Sequence, residues 1–174
     1  MWLRNSLLTW DDRLLNQCLT SGISILRRTY PSLTSLLADF PSTSVLINCT
    51  GLRSLSLVDV RDTNLYPTRG QTVLVQEPAT PIPRMYIRSP KRVHKDTTYV
   101  FPRPLGGGVI LGGSRQDGDW SAEVDMNLAK EIMEKCCKLV PELGKPEDLK
   151  VLGYGVGLRR KFKSCYCLRS RNEG

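Results

Sequence analysis

Histidine is all but missing from this chain. His94 is the one copy in 174 residues, and it lies in the charged stretch Ser89–Thr97, which reads as a solvated loop. Nucleophilic triads that depend on a histidine base are thereby excluded. Metal chemistry is short of ligands for the same reason. The six cysteines, Cys18, Cys49, Cys136, Cys137, Cys165 and Cys167, show no paired Cys-x-x-Cys spacing, and Cys165-x-Cys167 has too few histidines to complete a site. No metal is expected, and Cys136-Cys137, inside a helical pattern, read as core thiols. Also lacking is any run of roughly 18 apolar residues, the minimum for a membrane helix. Asp11 and Asp12 interrupt the amino-terminal apolar stretch, so it does not read as a secretory signal. The chain is expected to be intracellular and to have no membrane partner. Asn48-Cys49-Thr50 has the form of a glycosylation acceptor, which only a secreted protein would use.

Glycine is present without the spacing that binds nucleotides. Gly106-Gly107-Gly108, Gly112-Gly113 and Gly153–Gly157 match neither G-x-G-x-x-G nor a P-loop, and they read as hairpin turns and bulges. Asp117 and Asp119 flank Gly118 as a solvated turn would. The net charge is +8, but residues 158–174 carry +5 of it. A basic tail on a nearly balanced body, with no helix-turn-helix or RNA-binding pattern, argues against a nucleic-acid partner. A hydrophobic content of 40% supports a folded chain.

The periodicities outline an α+β protein. A helix is expected to start at Thr9-x-x-Asp12 and to bury Leu14, Leu15, Cys18 and Leu19 before Gly22 ends it. Residues 22–30 and 44–49 read as strands, and residues 32–40 as a short amphipathic helix. Residues 71–76, 84–89, 97–103 and 108–113 read as strands whose short connections make them antiparallel neighbours. From Ser121 to Leu143 the apolar positions Val124, Leu128, Ile132, Cys136, Leu139 and Val140 recur at helical spacing, and a last strand runs from Leu149 toward Arg159. The apolar run Val45-Leu46-Ile47 followed by Asn48-Cys49-Thr50-Gly51 has the form of a strand ending at a ligand-binding mouth, where small groups let a ligand approach the backbone.

In their order, the segments VLINCTGL, YPTRGQTVLV, TYVFPRPLGGGVILGG, DGDWS, the helix with Cys136-Cys137 and LVPEL, and VLGYGVGLR resemble the D-amino-acid oxidase family of flavoproteins over residues 14–159. The resemblance implies a mixed, mostly antiparallel sheet with packed helices forming a substrate domain (residues 61–159). It implies the end of a Rossmann-like FAD-binding domain in residues 1–60, and a basic tail of non-family sequence in residues 160–174. It implies FAD as cofactor, with Thr29, Thr50 and Gly51 in contact with it, and places Thr68–Gln71 at the crossing into the substrate domain. Tyr99 and Arg159 match the pair that holds the substrate carboxylate. Without the family, a strand aromatic in the core and a surface ion pair would be the plainer readings of these two. Lys95 falls where some relatives carry a lid tyrosine.

The reaction so implied is oxidation of a D-amino acid by dioxygen to a 2-oxo acid, ammonia and hydrogen peroxide. The flavin performs the redox step, so no catalytic side chain is needed beyond those that orient substrate. A related D-aspartate or glycine oxidase, or a non-catalytic fragment, are the alternatives. The resemblance is compatible with a homo-oligomer and with a peroxisomal or cytoplasmic location. The family's amino-terminal glycine fingerprint and its later glycine-rich segment are not in this sequence, and Arg160 begins a departure from the pattern. The expectation is therefore a fragment, from a truncated gene model or read-through, that binds no FAD alone.

Overall fold

The computed structural model describes residues 10–89, 97–104 and 106–163. They form two compact units, one within Met1–Val45 with Leu57–Asp59, the other within Leu46–Ser56 with Val60–Gly174.

The first unit holds α1 (Trp10–Thr20) and α2 (Leu33–Asp39). Helix α2 starts where Ser32 leaves the helical region and accepts a hydrogen bond from Ser35 N at 3.0 Å, as an N-cap serine does. The Asp59 carboxylate adds to that end, accepting from Leu33 N at 3.0 Å, Thr34 N at 2.8 Å and the Thr34 hydroxyl at 3.0 Å. Those bonds, led by the one from the Thr34 backbone, hold the Asp59 carboxyl below its usual range. Helix α1 forms as expected, but its apolar face is not buried: Leu14 and Leu15 are 46% exposed and Leu19 55%. The strands expected over residues 22–30 and 44–49 do not form, and Val45 and Ile47 stand open. Branched apolar residues favour a pleated backbone only where a neighbouring strand shares it, and no described strand pairs with either segment.

The second unit is built on one strand, β1 (Leu65–Val75). One edge carries β4 (Val109–Gly112) against Thr72–Val75 and β5 (Gln116–Asp117) against Thr68 and Arg69. Its other edge carries β6 (Val151–Phe162) from end to end. Beyond β4 lie β3 (Thr98–Pro102) and β2 (Tyr86–Arg88). All pairings among the described strands are antiparallel, and the α+β expectation holds. Strand β6 runs three residues past Arg159, with Arg160 opposite Pro67 and Phe162 opposite Leu65.

Burial along β1 alternates strictly. The inward set contributes Val73 and Val75 to a core shared with Val100, Val109 and Leu111, and α3 (Met126–Leu139) covers it with Ala129, Ile132, Cys136 and Cys137. The helix starts later than its periodicity suggests. Asp125 caps it, its carboxylate accepting from Asn127 N at 2.9 Å and Leu128 N at 3.0 Å, and Val124 is 40% exposed outside it. Pro141 and Gly144 end it through a short 3-10 turn, as the sequence indicates.

Two polar residues share the inward face, and they explain the loop before α3. The Arg69 side chain is 2% exposed, and its guanidinium donates to Ser121 O at 3.0 Å, Gln116 Oε1 at 3.1 Å, Gln71 Oε1 at 2.9 Å and Glu123 O. Gln71 in turn donates to Asp125 O at 2.7 Å and accepts from Asp125 N at 2.9 Å. Thr68–Gln71 are thus mid-strand residues whose inward members fasten residues 121–125.

Arg69→Met should cost about 3 kcal/mol or more, since buried carbonyls left without donors cost about 1–3 kcal/mol each. Urea unfolding would show it as a lower midpoint, and a variant as stable as the parent would contradict this account of the loop.

Candidate active site

The outward face of the same sheet is made of small residues. The register aligns Tyr99, Gly112, Thr72 and Gly155 in one row, Gly70 with Gly157 in the next, and Asp117, Thr68 and Arg159 in a third. Side chains two residues apart on a strand share a face, so the three rows lie on one side. With little to fill the middle, a cavity of about 380 Å³ opens there, lined by Tyr99 at β3, Arg115 before β5 and Arg159 on β6, with Thr68, Thr72 and the glycines as its floor.

Tyr99 lies flat over Gly112. A Cβ at Gly112 would stand 2.2 Å from Tyr99 Cζ, and the ring stacks on Phe101 at 4.5 Å between centroids. Beneath this pair sits Cys136, whose thiol donates to Tyr99 O at 3.4 Å and Gly112 O at 3.8 Å. Burial pushes the Cys136 thiol up to about 12. Tyr99 is half-buried on the face away from the core, and Arg159 is exposed with no acidic partner among the described residues. Both residues are among the lining of the one cavity.

Asp117 accepts from Arg115 Nε and an Arg115 terminal nitrogen, both at 3.0 Å, from Thr68 Oγ1 at 2.8 Å and from Lys161 Nζ at 3.4 Å. The bonds from Arg115 and then Thr68 hold its carboxyl far below the carboxylate range. Gly118 has φ +81° and the turn is exposed. The sequence identifies the turn but not the ion pairs, and it does not single out Arg69 or Arg115.

Thr50 and Gly51 lie in this second unit. Asn48 Oδ1 accepts from Thr50 N at 3.0 Å and Thr50 Oγ1 at 2.7 Å, and Thr50 Oγ1 is 2.8 Å from Ser54 Oγ. Asn48 thus has an internal structural use. Gly51 opens a short 3-10 helix (Gly51–Leu55) at φ +62°, and a Cβ there would meet nothing within 4 Å. Only glycine adopts that backbone freely. Thr29 belongs to the first unit and is exposed. His94, Lys95, Cys165 and Cys167 lie outside the described residues. Among the described residues no three His, Cys, Asp or Glu side chains are placed to hold a metal, and no helix is long and apolar enough to cross a membrane.

The family model described as FAD dependent oxidoreductase matches residues 21–164. The chain belongs to this family. Among curated relatives, a D-amino-acid oxidase of Schizosaccharomyces pombe is 35% identical over 146 residues, covering 82% of this chain and 40% of that protein. A D-amino-acid oxidase of Fusarium vanettenii is 30% identical over 152 residues, covering 84% of this chain and 42% of its own length. The chain thus spans about two fifths of these FAD-dependent oxidoreductases. A solved glycine oxidase from Bacillus cereus overlays 58% of this chain and 25% of its own at TM-score 0.47 and 20% identity, too distant to carry an argument.

Gly112→Ala should leave the sheet folded and displace the Tyr99 ring, because the obstructing atoms are the far end of a side chain. Changed NMR shifts of the Tyr99 ring with a near-parental melting temperature would bear this out; an undisturbed ring would not. Cys136 makes a second expectation. Its folded value is raised, so its contribution to stability is whole below the unfolded value near 8.5 and is lost as pH rises toward 12, by at most about 1.4 kcal/mol per pH unit. Denaturation curves across that range should fall less steeply for Cys136→Ala than for the parent; equal slopes would contradict it.

Proposed function

We propose that this chain is the substrate-domain portion, with the end of the FAD-binding portion, of an oxidase that deaminates D-amino acids to 2-oxo acids, releasing ammonia and hydrogen peroxide. The observation that carries the reading is the meeting of Tyr99 and Arg159 on one cavity. The family and the two D-amino-acid oxidase relatives supply the chemistry. Residues 1–60 are proposed as the FAD-binding part and 61–159 as the substrate domain, and a peroxisomal or cytoplasmic location belongs to the same proposal.

Arg159 takes the substrate carboxylate. A planar guanidinium on an exposed strand position can give two parallel charge-assisted hydrogen bonds, which a lysine cannot. Tyr99 adds a hydroxyl donor, its ring fixed by Gly112 below and Phe101 beside it. Two fixed donors on one carboxylate leave Cα and its hydrogen in a defined direction, which is the positional part of the catalysis. When bound, FAD would accept the hydride equivalent from Cα and pass it to dioxygen. Thr50 and Gly51 are proposed to contact it at the 3-10 helix start, and Thr29 is proposed as a cofactor-binding residue by family resemblance alone.

In the protein that carries this segment together with the remainder its relatives possess, D-amino acids should be consumed with formation of hydrogen peroxide and L-amino acids should not. Arg159→Ala should lower kcat/KM at least a hundredfold, since two charge-assisted bonds are worth about 3 kcal/mol or more. Tyr99→Phe should cost about 1 kcal/mol, less than tenfold. The reverse ranking, or peroxide formation from both enantiomers, would overturn the assignment.

A further inference from the structure

The seat of the Tyr99 ring has no side chain of its own. Tyr99 and Gly112 stand directly opposite on β3 and β4, and the ring lies so low that a Cβ at Gly112 would clash with it. Its height over the cavity floor therefore follows the placing of these two backbones. Phe101 steadies the ring from beside, and the support from below comes from α3. Cys136 is wholly buried on the inward face, and its thiol reaches both members of the pair, donating to Tyr99 O at 3.4 Å and Gly112 O at 3.8 Å. A carbonyl oxygen has two lone pairs, so one remains for such a donor after a ladder bond is made. Ala129 and Ile132 join the apolar core beside it. Among the described residues, Cys136 is the one side chain of α3 that hydrogen-bonds to β3 or β4.

We propose that Cys136 is a positioning residue for the carboxylate-binding hydroxyl: by bonding from the core side to the carbonyls of Tyr99 and of its glycine seat, it sets the height and direction of the Tyr99 ring over the cavity. The inference rests on the reading of Tyr99 and Arg159 as the carboxylate-binding pair, and Cys136 itself touches no substrate. An alanine at this place on the helix would leave the two strands joined there by their ladder alone. The thiol adds a further point of attachment, and it comes from a helix whose own start is fixed by Asp125. A hydroxyl donor contributes to binding only while it points at its acceptor, because hydrogen bonds weaken steeply with misalignment. Whatever loosens the Tyr99–Gly112 pair therefore reaches the substrate carboxylate on the opposite face of the sheet.

Propionate, titrated by NMR against the 174-residue chain, reads the carboxylate-binding pair without cofactor. Tyr99→Phe should weaken its binding by up to about tenfold, the worth of one hydrogen bond. Cys136→Ala should weaken it about threefold or more, and Cys136→Ser, which keeps a donor, should bring it back to within about twofold of the parent. Should Cys136→Ala not fold, Cys136→Val fills the place without a donor and carries the same expectation. In the Tyr99→Phe background, Cys136→Ala should change the affinity by less than about 1.5-fold, because its effect passes through the hydroxyl. A core thiol without a positioning role would lower the melting temperature in Cys136→Ala and leave propionate affinity at the parental value, and that result overturns the inference. So does a loss that Cys136→Ser fails to recover, or one that persists in full beside Tyr99→Phe. If Tyr99→Phe or Arg159→Ala leaves propionate binding unchanged, the reading of the site falls and this inference with it; if both weaken it and Cys136→Ala does not, only the inference falls.

Discussion

Everything in the second unit depends on β1 being paired along both edges in a single register. A strand has a two-residue period, so each of its residues is committed to one face. Leu65, Pro67, Arg69, Gln71, Val73 and Val75 face inward and Tyr66, Thr68, Gly70, Thr72 and Leu74 outward. A slip of one residue would turn Arg69 and Gln71 out and put Gly70 and Thr72 into the core, emptying one side and filling the other. The eleven-residue length of β1 matters because β4 and β5 each hold only part of it, while β6 guards the whole.

The inward polar pair links the two faces. Arg69 and Gln71 sit directly behind the cavity floor and reach the loop that feeds α3, so the helix start, the floor and the β5 turn share one set of hydrogen bonds. Buried polar groups of this kind are costly unless fully met, and no buried side-chain nitrogen or oxygen among the described residues is left without a partner. The cavity floor is therefore carried by a sheet strand paired on both edges, which would suit the proposed task of orienting a small anion.

Legibility in the sequence followed locality. The strands at 86–88, 98–102 and 109–112 announce themselves by branched and aromatic residues between Pro and Gly, and α3 by its apolar spacing. Strand β1 was half legible: Val73 and Val75 show, but Pro67 and Gly70 look like breakers and the inward Arg69 and Gln71 look like surface. The pattern Leu65-x-Pro67-x-Arg69-x-Gln71-x-Val73 has the right period with polar members, a signal that hydrophobicity alone discards. Residues 22–30 and 44–49 err the other way, because branched residues signal a strand and only a neighbour makes one. Tyr99 and Arg159 were visible through family resemblance, and their shared cavity follows from registers across four strands. The Arg115–Asp117 pair, two residues apart, carried no spacing that marks it off from a solvated turn.

The deep position of Cys136 has a consequence for durability. Hydrogen peroxide oxidises the thiolate form of cysteine far faster than the thiol. An enzyme that releases this oxidant at one face of a sheet while carrying a cysteine just behind the other would be exposed to its own product at every turnover. With the Cys136 proton retained to about pH 12 and its hydrogen shared with the carbonyls of Tyr99 and Gly112, the sulfur behind this face is kept as the thiol, the form that such an oxidant attacks slowly.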